Sequence, residues 1–191
     1  MKKINVIVRV TEADNLSNAI VRLFKAEVDA NSDVGGDGYL KDTFAEVEAL
    51  SASLTTAIKA DKASSNLDVA DSKRDEIIRQ LNAALTGYAN LPIPAFQAAA
   101  TPLLTIMAKY KGITAESYAR ESSLIKSLFE DLSSDDAKTA MASLQGIGEL
   151  VSALTVAQNE FDQANDAFNT ATSLKTESAI ATTTAERSFK S

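Results

Sequence analysis

The chain has 191 residues, 45% of them hydrophobic and 24% charged, with a formal net charge of −7 and a pI near 4.7. That length allows one domain with a real core. There is no Cys and no His, which excludes disulfides, thiolate catalysis, zinc–sulfur sites, imidazole switches and Glu-x-x-His di-iron bundles.

The acidic surface argues against nucleic acid, because Lys73, Arg74 and Arg79 are interleaved with Asp71, Asp75 and Glu76. No stretch approaches the ~18–20 apolar residues of a membrane span. Seven Gly, three Pro and no Trp favour long helices over many short strands. The expected fold is all-α: a single antiparallel bundle of about six to seven helices behind a short extended N-terminal arm. The expected protein is cytoplasmic and holds no cofactor.

Residues 1–10 (MKKINVIVRV) begin like a signal peptide, but Arg9 interrupts too short an apolar run. Their loose alternation predicts an extended arm. Thr11 with Asp14 opens a first helix, 11–30, with Leu16, Ile20, Leu23, Phe24 and Val28 as its inner face. Asn31 to Gly38 is a loop by every turn criterion. Leu40, Phe44, Val47, Leu54 and Ile58 mark a second helix with a soft point at Ser51. Ser64-Ser65-Asn66 should break or bend it. A third helix, 68–90, carries Ala70, Ile77, Leu81, Leu85 and Tyr88 inward.

Pro92-Ile93-Pro94 makes a stiff corner. The helix after it, 95–110, contains Pro102, which predicts a kink or break near Thr101, and Lys111-Gly112 ends it in a left-handed cap. Thr114 opens the next helix, with Tyr118, Ile125, Leu128, Phe129 and Leu132 as core face. Ser133-Ser134-Asp135-Asp136 caps a short helix carrying Met141 and Leu144, and Gly146 and Gly148 separate it from a long helix. On that helix Ile147, Leu150, Leu154, Ala157, Phe161, Ala164, Phe168 and Ala171 recur in 3-4 alternation. They form one seam for partner helices. The Thr- and Ser-rich tail predicts marginal helix or fraying. The expected layout is one domain, 1–191: an arm at 1–10, a helical half at 11–91, a second at 92–173, and a frayed or shortened last helix at 174–191.

Asp71-Ser72-Lys73-Arg74-Asp75, Tyr88, the corner Tyr110-Lys111-Gly112-Ile113, Glu116-Ser117-Tyr118 with Glu121, and the helix 125–132 succeed one another in an order that resembles a bacterial family of uncharacterised all-helical proteins. Its pattern is a D-x-x-R-D helix, a Y-G-x-I corner, an S-Y-x-x-E-T helix and an L-x-x-A-N-x-x-F helix. Leu154 to Phe161 fits the last motif with Gln158 at the Asn place, and Phe161 to Phe168 also fits, seven residues later. The resemblance spans most of 5–168. It implies an all-helical fold, and because the family carries no assigned activity or catalytic residues, it transfers no function. Members finish with a further long helix opening on an arginine. Glu186-Arg187-Ser188-Phe189 looks like its start, so the chain is expected to be shortened there, with part of the groove beside 147–171 uncovered.

The sharpest local pattern is the loop 29–40. Asp29, Asn31, Asp33 and Asp37 occupy places one, three, five and nine of a calcium loop. Val34 stands where the turn needs Gly, and Leu40 where the closing Glu belongs, so the alternative is a plain polar connection. Asp68, Asp71, Arg74 and Asp75 share a helix face. They read either as carboxylates for acid–base or metal work, or as an ion pair through Arg74 to another helix. Tyr88, Tyr110 and Tyr118 flank corners, and Glu130-Asp131 with Asp135-Asp136 form an acidic corner.

Three functions compete ahead of a fourth, a membrane-inserting helical protein, which the polar outer faces of the 147–171 helix disfavour. The first is a non-enzymatic interaction or scaffold protein, with a protein partner or a second copy meeting helix faces. The second is a metal-responsive module using Asp29, Asn31, Asp33 and Asp37. The third is an enzyme using carboxylates and tyrosines in a bundle cavity, which requires a deep pocket and at least two perturbed acids.

Overall fold

The computed structural model describes residues 10–30 and 36–189, with side chains for 12–30 and 36–177. Of the expected arm at 1–10, residues 1–9 lie outside the described residues, as do Asn31 and Asp33, while Val10 is not extended but begins the first helix. The described residues form six α-helices and no strand: α1 (Val10–Ala30), α2 (Gly38–Asn90), α3 (Pro94–Ala108), α4 (Tyr118–Leu132), α5 (Asp135–Ala142) and α6 (Ile147–Phe189). The expected all-helical fold is what the chain adopts. Contacts divide it into two compact units, Met1–Ser64 with Ala167–Ser191, and Ser65–Asp166.

In the first unit, α1 and the early part of α2 pair antiparallel. Thr55 Oγ1 donates to Asp14 Oδ1 at 2.5 Å, Ser17 and Ser51 share a hydroxyl bond of 2.9 Å, and Lys25 pairs with Glu48. The Phe24 and Phe44 rings stack 3.6 Å apart. Ser51, the expected soft point, is buried in this polar seam. The inner face expected for α1 is half wrong. Phe24 and Val28 do turn toward the unit, but Leu16, Ile20 and Leu23 are 57%, 39% and 71% exposed. Two stripes compete on this helix. Ser17, Val21, Phe24 and Val28 form one, and the leucine stripe lies one residue back, about 100° around the axis. The stripe carrying the stacked aromatic meets α2.

The break expected at Ser64-Ser65-Asn66 is absent, since α2 is one helix of 53 residues. Ser and Asn are only weak helix formers, and buried Leu67 continues the apolar line straight after them.

In the second unit, Lys73 meets Glu160 at 2.5 Å, while Tyr88, fifteen residues on, donates to the carbonyl of Gln145, fifteen residues back. That matched spacing makes α2 and α6 antiparallel here. Pro94 opens α3 at its first turn behind an extended Ile93. No break occurs at Pro102: α3 runs through it, held by buried Ala100, Leu103 and Met107. Gly112 and Gly146 take φ of 83° and 85°, a region that only Gly enters freely. A 3-10 turn, Ile113–Ala115, occupies the place where a helix was expected to start at Thr114, and α4 begins behind Ser117 instead.

Ser134 caps α5 by accepting from the Ala137 amide at 3.4 Å. Ser134→Ala should lower stability by about 1 kcal/mol, read as an earlier urea midpoint with an unchanged slope.

The core joins α2 to α6 through Leu81, Leu85, Leu103, Ile125, Leu128, Ile147 and Leu154, all buried. The α6 seam holds as expected. Ile147, Leu154, Ala157 and Phe161 are buried, and Ala164, Phe168 and Ala171 are half-buried. No Gly or Pro occurs after Gly148, and α6 continues to Phe189, so the backbone of the expected last helix extends α6.

Candidate functional site

Three helices of the second unit each contribute a triplet at i, i+3 and i+4. α2 gives Asp71, Arg74 and Asp75, α4 gives Tyr118, Glu121 and Ser122, and α6 gives Gln158, Phe161 and Asp162. That spacing places each triplet on one face of its helix, and the three faces converge. Arg74, Glu121 and Gln158 stand on seams that otherwise carry large apolar residues, and they are 0%, 2% and 4% exposed.

Arg74 is the hub. Its Nη2 donates to Glu121 Oε2 at 2.7 Å and to Asp71 Oδ1 at 2.8 Å. Its Nη1 donates to Ser122 Oγ at 3.0 Å and to Gln158 Oε1 at 3.2 Å. The Phe161 ring covers the guanidinium, with Cζ 3.7 Å from the ring centroid. A desolvated contact of this kind is among the stronger cation–π interactions. Tyr118 meets Phe161 edge-on at 5.3 Å and donates its hydroxyl to Asp68 Oδ1 at 3.0 Å. Gln158 is oriented from behind, since its Nε2 donates to Asp162 Oδ1 at 2.9 Å.

The charges do not balance in pairs. Burial pushes the Glu121 carboxyl up to about 7; Arg74 opposes that shift, while Asp75 and Asp71 add to it. Asp75 is raised as well, first by burial and then by Asp71. Burial and the bond to Asp68 raise the Tyr118 hydroxyl. Carboxylate oxygens of Asp71, Asp75 and Glu121 come within 4.8 Å of one another. Arg74 already supplies the positive charge at the centre of this trio. A divalent ion there would sit against a guanidinium that has no other place to go, so the donor set does not fit a metal. Of the two sequence readings, the ion pair through Arg74 to another helix is the one found.

Tyr88 and Tyr110 fasten corners. Tyr110 and Lys109 both donate to Asp131 Oδ2 at 3.0 Å. Burial first and Asp131 second drive the Tyr110 hydroxyl up to about 12, and the two donors hold Asp131 below the usual range. Asp29 and Asp37 of the calcium pattern are exposed, and Asp37 Oδ1 accepts from the Leu40 amide at 3.1 Å. Asp37 thus acts as a cap for the first turn of α2.

Sequence reading missed Glu121, Ser122 and Gln158 as site residues. Their signal was a polar residue standing on an apolar stripe: Glu121 lies four before Ile125 and seven before Leu128. Two perturbed acids, the minimum set for an enzyme, are present. Clefts of about 290 Å³ between α1 and α2, and of about 410 Å³ at the 3-10 turn and at the α5–α6 corner, are lined by none of the network.

The class is therefore an all-helical protein whose core is clasped by a buried arginine–carboxylate network. The chain belongs to DUF6261, a family of unknown function, whose model matches residues 64–187 and so includes every residue of the clasp. No curated protein and no solved structure matches the chain. No single described helix is long and apolar enough to cross a membrane.

Proposed function

We propose that the chain is a non-enzymatic helical interaction protein, with a clasped second unit as its rigid part and the outer stripe of α1 as its contact surface. The observation that carries this reading is the exposure of Leu16, Ile20 and Leu23 along one line of α1, while the helix packs through its other stripe, Ser17, Val21, Phe24 and Val28. Single exposed leucines need no explanation; three in register on one helix mark a contact surface. Leu16 and Leu23 flank Ile20 at nearly equal distances. Two antiparallel copies therefore offer each other the same stripe, which favours a two-fold pairing of identical chains.

The test is mass by light scattering at several concentrations, with and without calcium, on the natural chain and on Leu23→Glu. The expected result is a concentration-dependent dimer, indifferent to calcium and abolished by Leu23→Glu at unchanged helical content. A monomer throughout overturns the reading. A dimer that forms only with calcium moves it to the metal-responsive module of residues 29–40.

A further inference from the structure

Besides the donor Arg74 Nε, two acceptor atoms in the clasp have no hydrogen-bond partner while being fully shielded from water: Asp75 Oδ1 and Glu121 Oε1. They belong to carboxyls on different helices, in the same trio whose oxygens approach within 4.8 Å. Two ionised carboxylates offer only acceptors, so neither can satisfy the other. Arg74 Nε, itself unpartnered, donates to neither oxygen, and the donors that do bond within the clasp reach other acceptors. Arg74 Nη2 serves Glu121 Oε2 and Asp71, Arg74 Nη1 serves Ser122 and Gln158, and Gln158 Nε2 serves Asp162 and Ser122. One hydrogen placed between the two oxygens removes both deficits at once.

We propose that Glu121 and Asp75 are joined by a single proton, carried on Glu121 and donated to Asp75, and that this proton makes the α2–α4 contact a pH-sensitive clasp. With the proton in place, the charges of Asp71 and Asp75 face the buried Arg74, and the exposed Arg79 stands 3.8 Å from Asp75 Oδ2. When the proton leaves to solvent, a third carboxylate charge appears in the trio, with Arg74 the one buried cation beside it among the described residues and Arg79 reaching only Asp75 from the exposed side. The groups facing Glu121 are Asp71, Arg74 and Asp75 from α2, Gln158 with Asp162 behind it from α6, and Tyr118 and Ser122 on its own helix. The Glu121 carboxyl is raised from its ordinary 4.5 to about 7, with burial the first cause. A raised acid stabilises the fold fully below its unfolded value, and the contribution is lost as pH rises through the folded value. Stability should therefore fall between about pH 4.5 and pH 7, against the common trend of proteins held by ionised carboxylates.

The experiment is thermal unfolding of the full chain at pH steps from about 5 to about 8, with a chelator present, for the natural chain and for Glu121→Gln. The Gln amide copies the protonated acid, because its oxygen accepts from Arg74 and its NH2 donates to Asp75. The natural chain should lose several degrees of Tm across that range, while E121Q stays level and melts higher at the alkaline end. Equal slopes for the two chains, or no slope in the natural one, overturn the proposal. Recovery of the alkaline Tm by added magnesium or manganese in the natural chain but not in E121Q also overturns it, since a metal then joins the carboxyls. Should E121Q not fold, carboxyl-carbon NMR titration of the natural chain decides. A Glu121 midpoint near the ordinary glutamate value refutes the shared proton, and one near neutrality sustains it.

Discussion

Arg74→Ala is expected to destabilise the chain by about 3–5 kcal/mol, because it leaves Glu121 buried without its cation. The guanidinium is wholly inaccessible and holds four side chains through donors of 2.7–3.2 Å. Urea unfolding followed by helical circular dichroism measures the loss as a shift in midpoint. A control separates a broken pair from an indispensable one. In Arg74→Met with Glu121→Leu both charges leave together, and apolar groups of similar size replace them. That double variant should recover most of the stability, since buried pairs are often matched by hydrophobic replacements. A loss in the double variant as large as in Arg74→Ala would show that the remaining contacts to Ser122, Gln158 and Asp71 matter more than the charge pair.

Phe161→Ala should cost about 3–5 kcal/mol, the usual range for emptying a buried aromatic site. Phe161 is buried, lies over Arg74 and meets Tyr118 edge-on. Phe161→Leu refills most of the volume but not the ring, and should retain more than half of that stability. What it still lacks measures the ring's electrostatic contacts, worth ~1–2 kcal/mol together. Because Phe161 and Arg74 touch, the losses of Phe161→Ala and Arg74→Ala should not add. A cycle that sums without a coupling energy would mean the ring only fills space.

Much of this fold is legible in the residues alone, for a definite reason. The line Ile147, Leu154, Phe161 is set by spacing, and spacing is what a helix seam needs. Spacing says which residues share a face, but not which face meets a neighbour. That is why α1 turns Leu16 and Leu23 outward and packs through Ser17 and Phe24. The serines at 64 and 65 resemble a stop, although weak helix formers end a helix only when nothing downstream continues it. Half the clasp is visible in Asp71, Arg74 and Asp75. The partners are hidden because Glu121 and Gln158 lie 47 and 84 residues away from Arg74 in sequence. The L-x-x-A-N-x-x-F resemblance puts either Gln158 or Asn165 at its Asn place, and Gln158 is the one of the two that Arg74 bonds.

That choice has a consequence for how the helices align. Leu67, Arg74 and Leu81 are buried at intervals of seven along α2, as Ile147, Leu154 and Phe161 are along α6. A seam that repeats every seven residues can slide by one heptad and still bury leucine against leucine. Arg74 forbids the slide. Shifted by one repeat, it would face an apolar pocket with its charge unmet, while Glu121 would look onto Leu67 or Leu81. The single cation in the seam therefore works like the notch on a key. It adds little attraction that hydrophobic residues could not supply, and it leaves one alignment of α2 on α4 and α6 in which the guanidinium meets its acceptors.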